Sequence, residues 1–159
     1  MKLPLPDELP QRRNQVLSYN SDQALEISLL VLVVGREARG EIFAAKLGVA
    51  WSIRNRVEHP RWWGHDWLTV IEKRAQYSSM EPPSGKDPNL IVYPDLANQA
   101  WRECIEAAEA AYWESQPDPT SGATHYYDRS IDDHPPLWAT DSSSEHVRDI
   151  GNLHFYKMH

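Results

Sequence analysis

Two glutamates, Glu37 and Glu41, close the apolar run LVLVVGREARGE at residues 30–41. Paired carboxyl groups do acid–base chemistry when their surroundings differ, because one then keeps a proton that the other gives up. If Gly40 separates two helices, Glu37 sits in the last turn of a buried one, where the carbonyl ends disfavour negative charge. Glu41 then opens the next helix, where the amide ends favour it. A protonated Glu37 in an aromatic-rich groove suits the general acid of glycoside cleavage. On an unbroken helix the Cβ atoms of the pair would lie roughly 5 to 6 Å apart, a geometry that Gly40 interrupts. The plainer alternative is that Arg36 and Arg39 pair with the glutamates at a solvent-facing helix end, for about 0 to 1 kcal/mol each. On charge pattern alone that ion-pair reading is the stronger.

The elements that hold these residues can be read outward from them. Ser21 or Asp22 can cap a helix with the body QALEISLLVLVVGREAR, apolar nearly all round as a central buried helix would be. The β-branched run within it also fits a buried strand, and length favours helix. Gly40 fits a helix stop. From Glu41 a second helix, EIFAAKLGVAWSIRNRVEH, shows a stripe of Ile42, the Lys46 stem, Val49, Ile53 and Val57, with Pro60 just beyond its end. A loop with Trp62, Trp63 and Trp67 leads to a short helical piece in WLTVIEKRAQYSS. Residues 79–94, with four prolines and a glycine, read as an irregular loop. Asp95 can cap a third helix, LANQAWRECIEAAEAAYWES. ATHYYD and NLHFYK then read as short strands joined by a polar loop containing DDHPPLW and TDSSSEH. Helices first and a small sheet late make an α+β domain, with residues 1–20 as an arm or linker and 21–159 as one folded unit.

Composition narrows the function classes. The chain has 159 residues, 41% of them hydrophobic and 25% charged, as in an ordinary globular domain. Seven tryptophans and seven tyrosines exceed the needs of such a core, so some belong to a binding surface. A net charge of -7 without a basic run argues against nucleic acid. Cys104, the single cysteine, reads as a small core residue. The stretch Ala24–Val34 is too short for a membrane span and contains Glu26. The first residues lack the apolar segment of a secretory signal.

The stretch EARGEIFAAKLGVAWSIRNRV (37–57) resembles, without a gap, the opening signature of the cell-wall hydrolase family typified by spore-cortex-lytic enzymes. QYSS (76–79), GATHYYD (122–128) and IGNLHFYK (150–157) follow in that family's order. The resemblance covers roughly residues 24–157. It implies a small lysozyme-like domain, mainly helical with a short two- or three-stranded sheet in the C-terminal third, acting at the bacterial cell wall. The implied reaction cuts peptidoglycan glycan strands between N-acetylmuramic acid and N-acetylglucosamine. It is a lytic transglycosylation or a muramidase hydrolysis, with Glu37 as general acid and base and no cofactor. In the first case the muramic acid's 6-hydroxyl closes on the anomeric carbon and no second carboxylate is needed. In the second, Glu41 is the nearest partner. Delivery would be as a phage lysin, as a secreted effector, or after trimming of a leader. Three departures stand out: Ala45-Lys46 where the family has Gly-Gln, and Arg54 where it has an aliphatic residue.

The same resemblance implies substrate contacts for Gln76, Tyr77 and Ser78. Tyr126, Tyr127 and Trp138 are candidates for an aromatic floor under sugar rings. Strand alternation turns one tyrosine of the pair into the core. Trp62, Trp63 and Trp67 read as packing for their loop rather than as groove. His125 and His154 are expected to support the site as structural histidines bonded to backbone carbonyls. No metal is expected, since no HExxH or Cys/His spacing accompanies them. Two other readings remain from sequence: a silent wall-binding module, and a zinc amidase or peptidase using His125, His154 and a glutamate.

Overall fold

A computed structural model of the chain describes residues 20–73 and 94–159. Helix α1 spans Ser21–Ala38, so the β-branched run is helical. Its cap is Asn20, one residue before the expected pair. Asn20 Oδ1 accepts the Gln23 N–H at 2.8 Å, and Gln23 returns a bond to the Asn20 N–H at 3.1 Å. This reciprocal box satisfies two orphan groups, which Ser21 or Asp22 alone would not.

Helix α2 runs Phe43–Glu58, two residues later than expected, and Ile42 is its exposed N-cap. Gly40 lies in the connecting turn without the left-handed backbone of a helix stop, because Arg39 caps α1 in the right-handed region. The central helix is α2 rather than α1. Every residue from Ala45 to Ile53 is buried, and α2 meets α1, the short helix α3 (Trp67–Glu72), helix α4 (Gln99–Tyr112) and the sheet. Small side chains at Ala45, Gly48, Ala50 and Ser52 let neighbours approach from all sides. The exposed Leu25 shows α1 lying at the margin.

Helix α4 begins four residues after Asp95, whose carboxylate instead closes a local turn on the Ala97 N–H. Asn98 is the cap, accepting from the Trp101 N–H at 3.3 Å. Trp101 packs against Gly35 of α1, where a Cβ would come within 1.9 Å of its ring. Cys104 is fully buried beside it, and burial pushes its thiol up to about 11, so it is a core residue.

The C-terminal third forms an antiparallel sheet of three strands: β1 (His125–Asp128), β2 (Ser144–Ile150) and β3 (Leu153–Met158), with β3 in the middle. Strand β2 falls where a polar loop was expected. SEHVRDI offers little apolar alternation, and what makes it a strand is its hairpin with β3 through Gly151 and Asn152. Gly151 there takes a φ of +58°. Phe155 of β3 packs on Gly48, fastening the sheet to α2. Among the described residues no helix is long and apolar enough to cross a membrane.

Candidate active site

Glu37 lies in the last turn of α1, half-buried, next to the buried Ala38. Glu41 lies in the connection before α2, not in its first turn. Its Oε2 accepts the N–H of Asn152 at 3.1 Å, so the β2–β3 turn docks on it. A Cβ at Gly151 would come within 2.6 Å of that oxygen, so glycine lets the turn sit close without moving the Glu41 carboxylate. The turn is held from its other side as well, since the Arg129 N–H donates to the Asn152 carbonyl at 2.9 Å. The junction of α1 and α2 is thereby tied to the end of the sheet where Tyr127 faces His154.

From that end an array of rings runs along the sheet's outer face. Tyr127 stacks on Tyr156 with ring centres 5.7 Å apart and meets His154 at 5.0 Å. Trp138, carried by a 3-10 turn at Leu137–Thr140, packs edge-on against Tyr156 at 5.4 Å and reaches His125 at 5.0 Å. Its hydrogen bond with Tyr156, followed by partial burial, raises the Tyr127 hydroxyl to about 12. The expected alternation holds: Tyr126 turns inward onto Phe155, and Tyr127 stays with Trp138 on the outer face. The tryptophans divide. Trp63 is buried and donates to the Arg56 carbonyl, and Trp67 packs on Tyr112, both as expected of packing residues. Trp62 is 60% exposed and sits beside His125, at the far end of the ring array.

The two histidines do different things, and among the described residues neither bonds a backbone carbonyl. His125 is buried, with Nδ1 2.9 Å from Thr124 Oγ1, and burial followed by the nearby Arg56 charge lowers it to about 3. It is therefore a neutral imidazole wedged between tryptophans. His154 lies between carboxylates, with Nδ1 2.6 Å from Asp149 Oδ1 and Nε2 2.9 Å from Asp132 Oδ1. Asp149 holds its protonation upward, and His154 with His146 in turn holds Asp149 low. Among the described residues His125 joins no cluster of three potential metal ligands, so the amidase pairing of His125 with His154 does not form.

Two of the sequence departures point away from the glutamates. Lys46 is 1% exposed and runs to α4, where its Nζ contacts Glu103 at 2.6 Å and keeps that carboxyl low. Arg54 donates to the Ala111 and Tyr112 carbonyls at 3.1 and 2.6 Å, closing the C-terminal end of α4. Gln76, Tyr77 and Ser78 lie outside the described residues.

Sequence reading missed the Gly151–Asn152 turn as the partner of Glu41, although Gly-Asn between two short runs is a hairpin signal. It also missed His146, Asp149 and Asp132. Their only sequence mark is the spacing His146, Asp149, His154, and an unbroken strand would have put the first two on opposite faces.

The family model described as cell wall hydrolase matches residues 40–156, a span that contains Glu41 and begins just after Glu37. No curated protein matches the chain. Two solved structures share the fold. The catalytic domain of the Bacillus cereus SleB protein aligns with a TM-score of 0.62 and 22% identity, over 83% of this chain and 89% of that one. The catalytic domain of the germination-specific lytic transglycosylase SleB from Bacillus anthracis aligns with a TM-score of 0.57 and 22% identity, over 88% and 98%. With most of its length matched, the chain belongs to the cell wall hydrolase family and is an enzyme that acts on peptidoglycan.

Proposed function

We propose that the protein is a lytic transglycosylase of peptidoglycan glycan strands, with Glu37 as its acid and base. The observation that carries this reading is the engagement of Glu41. Its Oε2 already accepts the Asn152 N–H and seats the β2–β3 turn. That gives Glu41 a positioning role and favours a reaction that needs one working carboxyl. Glu37 lies at the carbonyl end of α1, where the helix dipole disfavours the charged form. An acid that enters the reaction protonated is what cleavage requires.

In that reaction Glu37 gives its proton to the oxygen bridging N-acetylmuramic acid and N-acetylglucosamine. The bond from that oxygen to the anomeric carbon breaks, and the muramic acid's 6-hydroxyl oxygen bonds to the carbon. The Glu37 carboxylate then takes the hydroxyl proton, so the enzyme returns to its starting state and no water is consumed. Tyr127 and Trp138 would carry sugar rings along the outer face of the sheet, with Tyr126 reserved for packing. The Bacillus anthracis protein of the same fold is described as a lytic transglycosylase, which agrees with this choice. Enzyme reaching the wall by phage lysis, effector secretion or export with a cleaved leader would use the same site.

Mass spectrometry of soluble fragments from purified peptidoglycan tests the proposal. Wild-type digests should contain 1,6-anhydromuramic ends, and Glu37→Gln should lower their yield by about 10²- to 10⁴-fold while leaving the fold intact by circular dichroism. Reducing ends in the wild-type digest would mean hydrolysis and move attention to Glu41. Full activity in Glu37→Gln would remove Glu37 from the mechanism.

A further inference from the structure

A break in strand β2 creates a second chemical site on the sheet. His146 pairs with Tyr156 of β3, yet Arg148 pairs with the next residue, Phe155, so Val147 is an extra residue on its strand. Such a bulge shifts side-chain alternation by one position. Val147 packs toward the core. Past it Asp149 pairs with His154, on the same face as His146. Without the bulge the three-residue spacing would send His146 and Asp149 to opposite sides.

The convergence is close. His146 Nε2 and His154 Nδ1 each lie 2.6 Å from the same oxygen, Asp149 Oδ1. One ligand atom from each of the three residues falls within 4.8 Å of the others. A tetrahedral ion with bonds of about 2.1 Å requires separations of about 3.4 Å, which small side-chain rotations supply. His154 is already oriented for the task. Its other nitrogen, Nε2, lies 2.9 Å from Asp132 Oδ1, so with an ion bound Asp132 would keep a proton on Nε2 while Nδ1 gives up its own and faces the ion. A carboxylate behind a ligating imidazole is the usual outer support of a metal-bound histidine. His146 and Asp149 are about half-exposed, which leaves an ion a way in.

We infer that His146, Asp149 and His154 form a binding site for a divalent transition-metal ion of the zinc type, with Asp132 as outer support and water completing the shell. Two imidazole nitrogens and one carboxylate oxygen are a donor set that zinc accepts, whereas calcium and magnesium prefer oxygen alone. The ion would clip β2 to β3 beside Tyr127. Through Asp132 it would also brace the chain that follows the 3-10 turn at Arg129–Ile131. Its place at the surface, with no part in the glycan chemistry above, makes it structural.

Isothermal titration calorimetry with zinc chloride on the chelator-stripped protein tests the site. One ion per chain is expected, with proton release on binding. His146→Ala and Asp149→Asn should each weaken binding tenfold or more, and Asp132→Asn by about tenfold. His65→Ala, away from the cluster, should leave the affinity unchanged. Zinc should raise the melting temperature of the wild type and not that of His146→Ala, and circular dichroism checks that each variant folds. Absence of zinc binding by the wild type would overturn the inference. So would binding that survives in the double variant His146→Ala, Asp149→Asn, which would place the ion on other surface histidines. Calcium binding as tight as zinc would overturn the assignment of ion type.

Discussion

The two faces of the C-terminal sheet are built from opposite materials. The inner face gives Leu153 and Phe155 to an apolar core shared with α1, α2 and α4. The outer face gives His125, Tyr127, His154 and Tyr156, with His146 and Asp149 beside them and Trp138 laid across. The core is held by shape: Trp101 fits because residue 35 has no side chain, and Phe155 fits because residue 48 has none. The outer face is held by ring contacts and hydrogen bonds between side chains that each keep a polar tip. A close-packed interior responds to volume changes, and a polar-aromatic surface responds to protons and ligands. Substitution and pH should therefore act on different halves of the molecule.

The largest effect on stability should come from the helical body. In Gly35→Ala the new methyl would overlap the Trp101 ring at 1.9, 2.3 and 2.7 Å. Trp101 is 3% exposed, so its ring cannot turn aside without displacing packed neighbours. Overpacking of this kind costs about 3 kcal/mol, to be read as a lower urea midpoint at unchanged slope. Gly40→Ala is the matched control, since nothing lies within 4 Å of its Cβ position, and it should change stability by about 0.5 kcal/mol or less. Equal stability of the two variants would mean that α4 does not press on α1 there.

The outer face should show itself through acid. His125 is held neutral, lowered to about 3 from an ordinary value of 6.5. Between those values the unfolded chain binds a proton that the folded chain refuses. Stability is thus fully present above pH 6.5 and is lost as the pH falls toward 3, by about 1.4 kcal/mol per unit. From pH 6.5 to 5 the wild type should lose about 2 kcal/mol that His125→Gln does not lose. The difference between their urea midpoints, followed across that window, isolates this histidine from other titrating groups. Parallel profiles would show that His125 accepts its proton in place, and the contrast between the faces would weaken.

Legibility in the sequence divides along the same line. The helical body was readable because long apolar patterns with small residues permit few arrangements. LVLVVGREARGE correctly placed Glu37 in the last turn of α1. The errors lay at helix ends, where Asn20 and Asn98 took the caps expected of Ser21 or Asp22 and of Asp95. Several side chains near an end can each satisfy the same orphan amides, so local sequence does not choose among them. The outer face was less readable. Tyr126 turned inward and Tyr127 outward, as strand alternation predicts, but β2 was invisible because SEHVRDI is polar on both sides. Its bulge breaks the one period that could have exposed the His146–Asp149 pair. Glu41 was found as a residue and misplaced as a helix start, because its partner, the Asn152 N–H, lies 111 residues away.

The smallest expected effect concerns how the outer face would meet glycan on the proposed reading. The protein carries a net charge of -7, and peptidoglycan is itself rich in carboxylates. The balance of charge does not favour long-range attraction, and on the proposed reading binding comes from short contacts of rings and hydrogen bonds. Those contacts are little affected by salt, whereas charge steering is screened beyond about 10 Å at 0.1 M ionic strength. Raising salt from about 50 to 200 mM should change the rate of peptidoglycan solubilisation by no more than about twofold, and any change should be an increase as mutual repulsion is screened. A steep fall would mean that a cationic patch, not the ring array from Tyr127 to Trp62, does the gripping. Because Trp138 sits at the middle of that array, Trp138→Ala under the same salt series should lower the rate at every concentration without changing its slope.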